Sequence, residues 1–150
     1  MAIHAKDIEN EINAEPESIE IERIDQQSIA KADIEMTFDE RLQLASAVTG
    51  FSSIWDIIKG GKPIAIECKA AFIIPVELVD KSSGDVQERD RSVFVDSDGK
   101  SYATTSDAVA NTLRMIFAIC GESGQWERPI NMRFETANSK NGQQFVNLKF

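Results

Sequence analysis

The stretch that decides the fold is RSVFVDSDGKSYATTSDAVANTLRMIFAICG, residues 91–121. Its pattern predicts a strand, a tight turn, a second strand and a capped helix. Ser92–Asp96 and Lys100–Thr105 are rich in Val, Phe, Tyr and Thr, which favour a pleated and half-buried surface. Between them, Asp96–Lys100 matches a type I turn followed by a glycine in the left-handed region. We therefore predict a β-hairpin with a three-residue loop.

The length of that loop decides which side chains share a face of the hairpin. With three residues in the loop, Phe94 lies opposite Tyr102, and the two rings share a face because side chains alternate along a strand. Val93 and Val95 then point to the other face, where they can close a core. The two aromatic rings are therefore expected on the outer surface. A two-residue turn at Asp98–Gly99 would instead put the rings on opposite faces.

The hairpin is followed by a helix with clear start and stop signals. Ser106 is a favourable N-cap, Asp107 suits the positive end of the helix dipole, and Gly121 is a natural stop. Apolar residues recur between them at three- and four-residue spacing and predict one buried stripe: Val109, Leu113, Ile116, Phe117 and Cys120.

Strands are predicted on both sides of this central unit. Every even position from Ile64 to Val79 is apolar, which indicates a long strand with one buried face that can curve across two sheets. Pro75 marks an edge, bend or bulge in it. Residues 80–90 are predicted to be a polar loop. After the helix, residues 130–135 and 144–150 alternate as two more strands.

The predicted order is three strands, one helix and two strands. A single helix between the third and fourth of five strands is the connectivity of the oligonucleotide/oligosaccharide-binding (OB) fold. A β-sandwich does not need that helix, and a ferredoxin-like fold needs two. We therefore predict an all-β, or β-rich α+β, protein whose residues 62–150 form a five-stranded OB-fold-like barrel.

The N-terminal part of the chain is predicted to be an extension of this barrel. Thr37–Glu40 is a capping box that opens a short helix ending near Gly50, and Ser53–Lys59 forms a second helical piece. Residues 37–61 are thus short helices that pack on the barrel. Residues 1–36 are expected to be an acidic, partly helical and mostly mobile leader, in which Ser18–Ile24 alternates like a short strand.

The charge is unevenly distributed. A net charge of −9 would normally argue against a nucleic-acid partner. Residues 1–41, however, hold 12 acids and 4 bases, and the remainder has a net charge of only −1. A nearly neutral body with an acidic leader leaves nucleic-acid binding open. The chain has no apolar run of about 18 residues and no signal pattern at MAIHAKDIENE, so a cytoplasmic protein without a membrane span is expected.

Catalytic and metal-binding patterns are missing. His4 is the only histidine, no Cys/His cluster has zinc spacing, and no glycine-rich loop precedes a helix. Asp96–Gly99 lacks the further ligands of a calcium loop. Cys68 and Cys120 sit in apolar patterns and are expected to be buried free thiols. We predict no enzymatic activity, no cofactor and no metal.

The candidate binding surface follows from the predicted fold. OB-folds bind ligands over strands 2 and 3 and the adjoining loops. Rings that stack on bases and single cations that meet phosphates suit single-stranded nucleic acid. Cross-strand aromatic pairs also stabilise sheets that bind nothing, and this alternative stays open for Phe94 and Tyr102. The candidate residues are Phe94, Tyr102, Lys69, Arg91, Lys100, Arg133, Lys140, Phe145 and Lys149.

The chain resembles a family of bacteriophage single-stranded DNA-binding proteins over roughly residues 62–150. The resemblance rests on the Val93–Ala103 hairpin, the helix end at Ile116–Gly121 and the final hairpin after Pro129-Ile130. It implies a protein that coats single-stranded DNA during phage replication or recombination, without strong sequence preference, in the cytoplasm of the host. Phage or host replication proteins and further copies of the chain are its other possible partners.

A second function, from another class of protein, also fits the net negative charge of the chain. A phage inhibitor or DNA mimic would use its negative charge to occupy a basic surface on a host protein. Such an acidic protein-interaction module would not bind DNA, whereas a single-strand-binding protein would.

Overall fold

The structure is a computed structural model that describes the backbone of residues 19–24 and all of residues 36–80 and 82–150. The predicted helical character of the leader and His4 lie outside these residues. The strands are β1 Ile19–Ile24, β2 Ser52–Ser53, β3 Ile64–Asp80, β4 Val86–Asp96, β5 Ser101–Thr104, β6 Ile130–Asn138 and β7 Gln144–Lys149. The helices are α1 Phe38–Thr49, α2 Ile54–Ile58 and α3 Asp107–Cys120, and Ser123–Gln125 forms a 3-10 turn.

The strands form one open, mixed sheet. Its order is β2-β5-β4-β3-β6-β7, and β1 pairs with β3 beside that path. All pairings are antiparallel except that of β2 with β5. The five strands predicted within residues 62–150 are present in the predicted order, with α3 between the third and the fourth.

The predicted closed barrel is wrong. Closure would require β5 to pair with β7, but the free edge of β5 pairs with β2 instead. The short helix α2 contacts β5, β6 and β7, and so fills the space where the two ends of the sheet would meet. Ile54 and Ile58 of α2 are fully buried there. The segment that precedes the predicted barrel, β2 with α2, therefore replaces the pairing of β5 with β7 that would have closed it.

The predicted hairpin is confirmed, including its register. Phe94 pairs with Tyr102 in the β4–β5 ladder. The Gly99 N–H donates to the Asp96 carbonyl at 3.0 Å, and Gly99 has a φ of 88°. The strand before the turn is longer than predicted. The polarity of residues 86–90 predicts a loop, but these residues form the first half of β4 because they pair with the far end of β3.

A β-bulge divides β3 between two hydrophobic cores. Cys68 pairs with Asp96 while Ala70 pairs with Val95, so Lys69 is an extra residue on β3. The bulge reverses the alternation: Ile66 and Cys68 lie in core one, and Ala70 and Phe72 lie in core two. The even positions of β3 are apolar throughout, as predicted, but they do not form one buried face.

The helices cover opposite faces of the sheet. In core one, α2 and α3 pack on β3, β4, β6 and β7. In core two, Leu44 and Ala47 of α1 pack on β3, β4 and β5. Thr37 and Glu40 form the predicted capping box, and the Ser106 hydroxyl accepts from the Val109 N–H as predicted. Ser106 also donates to the Val146 carbonyl at 2.7 Å, which ties the start of α3 to β7.

Among the described residues, no helix combines the length and the apolar character that crossing a membrane requires.

Candidate nucleic-acid interface

The two rings of the central hairpin do not form an exposed pair. Phe94 is 0% exposed, and its ring meets that of Phe134 edge-on at a centroid distance of 4.8 Å in core one. The prediction that Phe94 lies on the outer surface is therefore wrong. Val93 and Val95 are buried as well, because α1 covers the opposite face of β4. A strand with two buried faces leaves neither side for a base.

Arg91 is also placed inside the protein. It is 5% exposed, and its guanidinium lies 4.4 Å from the centre of the Phe51 ring, within the range of a cation–π contact. Its predicted role as a phosphate ligand does not fit this position. Tyr102 is half-buried at the rim of core one, and its hydroxyl donates to Asp96 Oδ2 at 3.4 Å. Burial and the negative charge of Asp96 raise the pKa of Tyr102.

The outward side of β6 and β7 carries the other predicted ring and two of the cations. Arg133 pairs with Lys149 and Ala137 pairs with Phe145, while Phe134 points into core one. The predicted common face of Arg133, Phe145 and Lys149 is thus confirmed. The first half of β3 continues the same face, because Ala65 pairs with Arg133. We call this surface the open face; its residues are Ala65, Glu67, Asn131, Arg133, Glu135, Ala137, Phe145, Asn147 and Lys149.

The cations of the open face share one carboxylate. Lys149 Nζ lies 2.7 Å from Glu135 Oε1, and Arg133 Nε lies 3.3 Å from Glu135 Oε2. The hydrogen bond from Lys149, followed by the positive charges of Lys149 and Arg133, holds the pKa of Glu135 below its usual range. The Arg133 and Lys149 side chains remain 58% and 62% exposed. Both are therefore accessible to a phosphate.

Three further predicted cations lie at the borders of the open face. The Ser97 N–H donates to the Glu67 carbonyl at 2.9 Å, which places the β4–β5 turn and its exposed Lys100 beside β3. Lys69 is exposed at the bulge two residues after Glu67. Lys140 is exposed in the turn between β6 and β7, at the end of the hairpin that carries Phe145.

The predicted site lacks the polar residues of the open face. Glu135, Asn131 and Asn147 lie among the predicted cations, whereas the predicted contacts are only rings and positive charges. The alternation of Asn131, Arg133 and Glu135 along one strand was the available signal, since every second residue of a strand shares a face.

The cysteines differ in their environments. Both are free, but only Cys68 is buried, and its burial raises the pKa of the thiol to about 12. Cys120 is exposed at the last residue of α3, so the prediction that it is buried is wrong. In residues 36–80 and 82–150, no three His, Cys, Asp or Glu side chains are grouped to hold a metal ion.

Rings that stack on bases and cations that meet phosphates are features of the class of surfaces that accept single-stranded nucleic acid, and the open face carries one ring and two cations. Comparison with known families agrees with this class. The family model described as phage single-stranded DNA-binding protein, of the Phi29 type, matches residues 24–150. The chain belongs to this bacteriophage family, as the resemblance at the hairpin and the final strands predicted. No curated protein and no solved structure matches the chain.

Proposed function

We propose that the protein coats single-stranded DNA during phage replication or recombination in the host cytoplasm, without strong sequence preference. The observation that carries this proposal is the family match over residues 24–150. It favours DNA binding over an acidic module that occupies a host protein.

The open face is the surface on which we place the DNA. Phe145 offers a ring for one base, and Arg133 and Lys149 offer charges for phosphates on the same side of the sheet. Lys69, Lys100 and Lys140 would extend the phosphate contacts along its borders. Stacking on a ring and contact with phosphates do not read base edges, which accounts for a weak sequence preference.

Three predicted residues that are buried or hydrogen-bonded within the protein are left out of this contact set. Phe94 and Arg91 support the fold through core one and through Phe51 respectively. Tyr102 contacts the Asp96 carboxylate, which itself accepts from the backbone N–H groups of Asp98 and Lys100 at 2.9 Å. Its role in our proposal is to hold the turn that positions Lys100.

A titration of fluorescein-labelled oligo-dT with the full chain, followed by anisotropy, tests the proposal. We expect binding at about 50 mM salt that weakens steeply towards 200 mM, because phosphate contacts release counterions. Mixed-sequence single strands should bind with similar affinity, and a duplex of the same length should bind more weakly. Absence of binding to every single strand at the lower salt concentration would overturn the proposed function.

A further inference from the structure

Glu135 contacts both cations of the open face. It lies two residues after Arg133 on β6, and it pairs with Asn147, two residues before Lys149 on β7. Each carboxylate oxygen engages a different cation, Oε1 contacting Lys149 and Oε2 contacting Arg133. The Glu135 side chain is 25% exposed, so a phosphate on this surface would come close to its negative charge.

We propose that Glu135 limits the affinity of the open face for DNA by holding Arg133 and Lys149 in ion pairs that phosphates must disrupt. This inference rests on the proposed function. The three side chains together carry one net positive charge instead of two. A phosphate that binds either cation also meets the repulsion of the carboxylate, and like charges at close range are unfavourable in a partly desolvated interface.

The competing interpretation is that Glu135 only orients the two cations for DNA. The two interpretations predict opposite results for Glu135→Gln, which keeps the shape of the side chain and removes its charge. If Glu135 competes with DNA, the substitution tightens binding. If it orients the cations, the substitution weakens binding, because the long Arg and Lys side chains lose their fixed geometry.

Glu67 provides a matched control on the same face. It is exposed, it pairs with Asn131 on β6, and within the described part of the chain it has no ion pair. Glu67→Gln therefore makes the same change in net charge without releasing a cation. Any gain in affinity that it causes measures the general effect of one negative charge near DNA.

The test compares the affinities of the wild type, Glu135→Gln and Glu67→Gln for oligo-dT at about 50 mM salt. Exposed ion pairs are worth little individually, so we expect Glu135→Gln to bind about two- to twenty-fold more tightly than the wild type. Glu67→Gln should gain clearly less. In a Lys149→Gln background the gain from Glu135→Gln should shrink, because one of the two pairs is already absent.

Two further outcomes would overturn the inference. If the wild type binds oligo-dT and Glu135→Gln binds no more tightly than Glu67→Gln, Glu135 does not compete with DNA. If Glu135→Gln binds more weakly than the wild type, while its melting temperature is unchanged, Glu135 positions the cations instead. Failure of the wild type to bind would remove the proposed function itself, and the inference with it.

Discussion

The solvent exposure of its ring makes Phe145, and not Phe94, a candidate for stacking on a base. A base stacks on the flat side of a ring, and that side must be accessible. Phe145 is half-buried on the outward side of β7, whereas Phe94 is enclosed between α3 and the sheet. Similar sequence contexts, each a ring in an alternating strand, thus lead to different exposure.

We therefore expect Phe145→Ala to weaken oligo-dT binding by about 1–3 kcal/mol, the usual loss for one stacked base. Its melting temperature should change little, because the ring is only half-buried. Anisotropy and thermal unfolding measured on one preparation check both statements.

Phe94→Ala is the matched comparison, because it truncates a ring of the same type in the core. Truncation of a buried Phe costs about 3–5 kcal/mol of unfolding free energy, so the melting temperature should fall strongly. The folded fraction should still bind DNA. An unchanged affinity for Phe145→Ala would show that this ring serves only the sheet.

At the scale of single elements, β3 carries one residue more at its bulge than its pairing with β4 requires. Cys68 and Ala70 pair with the adjacent residues Asp96 and Val95 and lie in different cores, as two neighbouring residues of a regular strand would. Without Lys69 the two strands would pair regularly, and the apolar residues on both sides of the bulge would keep their faces.

Deletion of Lys69 should therefore still allow cooperative folding, as seen by circular dichroism and thermal unfolding. Lys69→Ala should leave the melting temperature nearly unchanged and should weaken DNA binding modestly through the loss of one phosphate contact. A deletion variant that fails to fold would contradict the role assigned to the bulge.

The elements themselves were largely predictable from local patterns. The hairpin register follows from the turn at Asp96–Gly99, and the boundaries of α1 and α3 follow from their caps, because these signals act within a few residues. Phe94 is buried by α2 and α3, and α1, which lies far away in sequence, covers the opposite face of β4, which Val93 and Val95 were expected to close. No local pattern reports that both faces of a strand are covered.

The open sheet and the bulge were harder to predict from the sequence for the same reason. The edge of β5 could pair either with β7, which would close the sheet, or with β2. Which pairing forms depends on how α2 packs between the two ends of the sheet. Apolar residues at every second position of β3 also look identical whether or not an extra residue is inserted among them. For the site, the alternation of β6 and β7 correctly grouped Arg133, Phe145 and Lys149, but the contacts made by Glu135 depend on side-chain conformations that alternation does not specify.

At the scale of the whole molecule, we expect the charge of the leader to act against the proposed DNA contacts. Residues 1–41 carry a net charge of −8, and β1 within them pairs with the far end of β3. The acidic leader is therefore connected to the sheet that carries the open face. Unlike a contact between two residues, this influence is long-ranged and sensitive to ionic strength.

We expect removal of residues 1–18, which spares β1, to tighten oligo-dT binding at low salt. The difference should nearly vanish by about 200 mM salt, where the Debye length falls below about 8 Å. Titrations of the full chain and the shortened chain over a range of salt concentrations measure this. Weaker binding of the shortened chain would show that the leader contributes to the complex.

The strand shared by the two cores has a consequence for how the molecule unfolds. Because β3 runs without interruption from Ile64 to Asp80 and contributes residues to both cores, neither core can come apart without disturbing the strand that supports the other. The two layers of helices on opposite sides of the sheet should therefore lose their structure together, in a single two-state transition. The chain would then have no partly unfolded form in which one half still holds DNA.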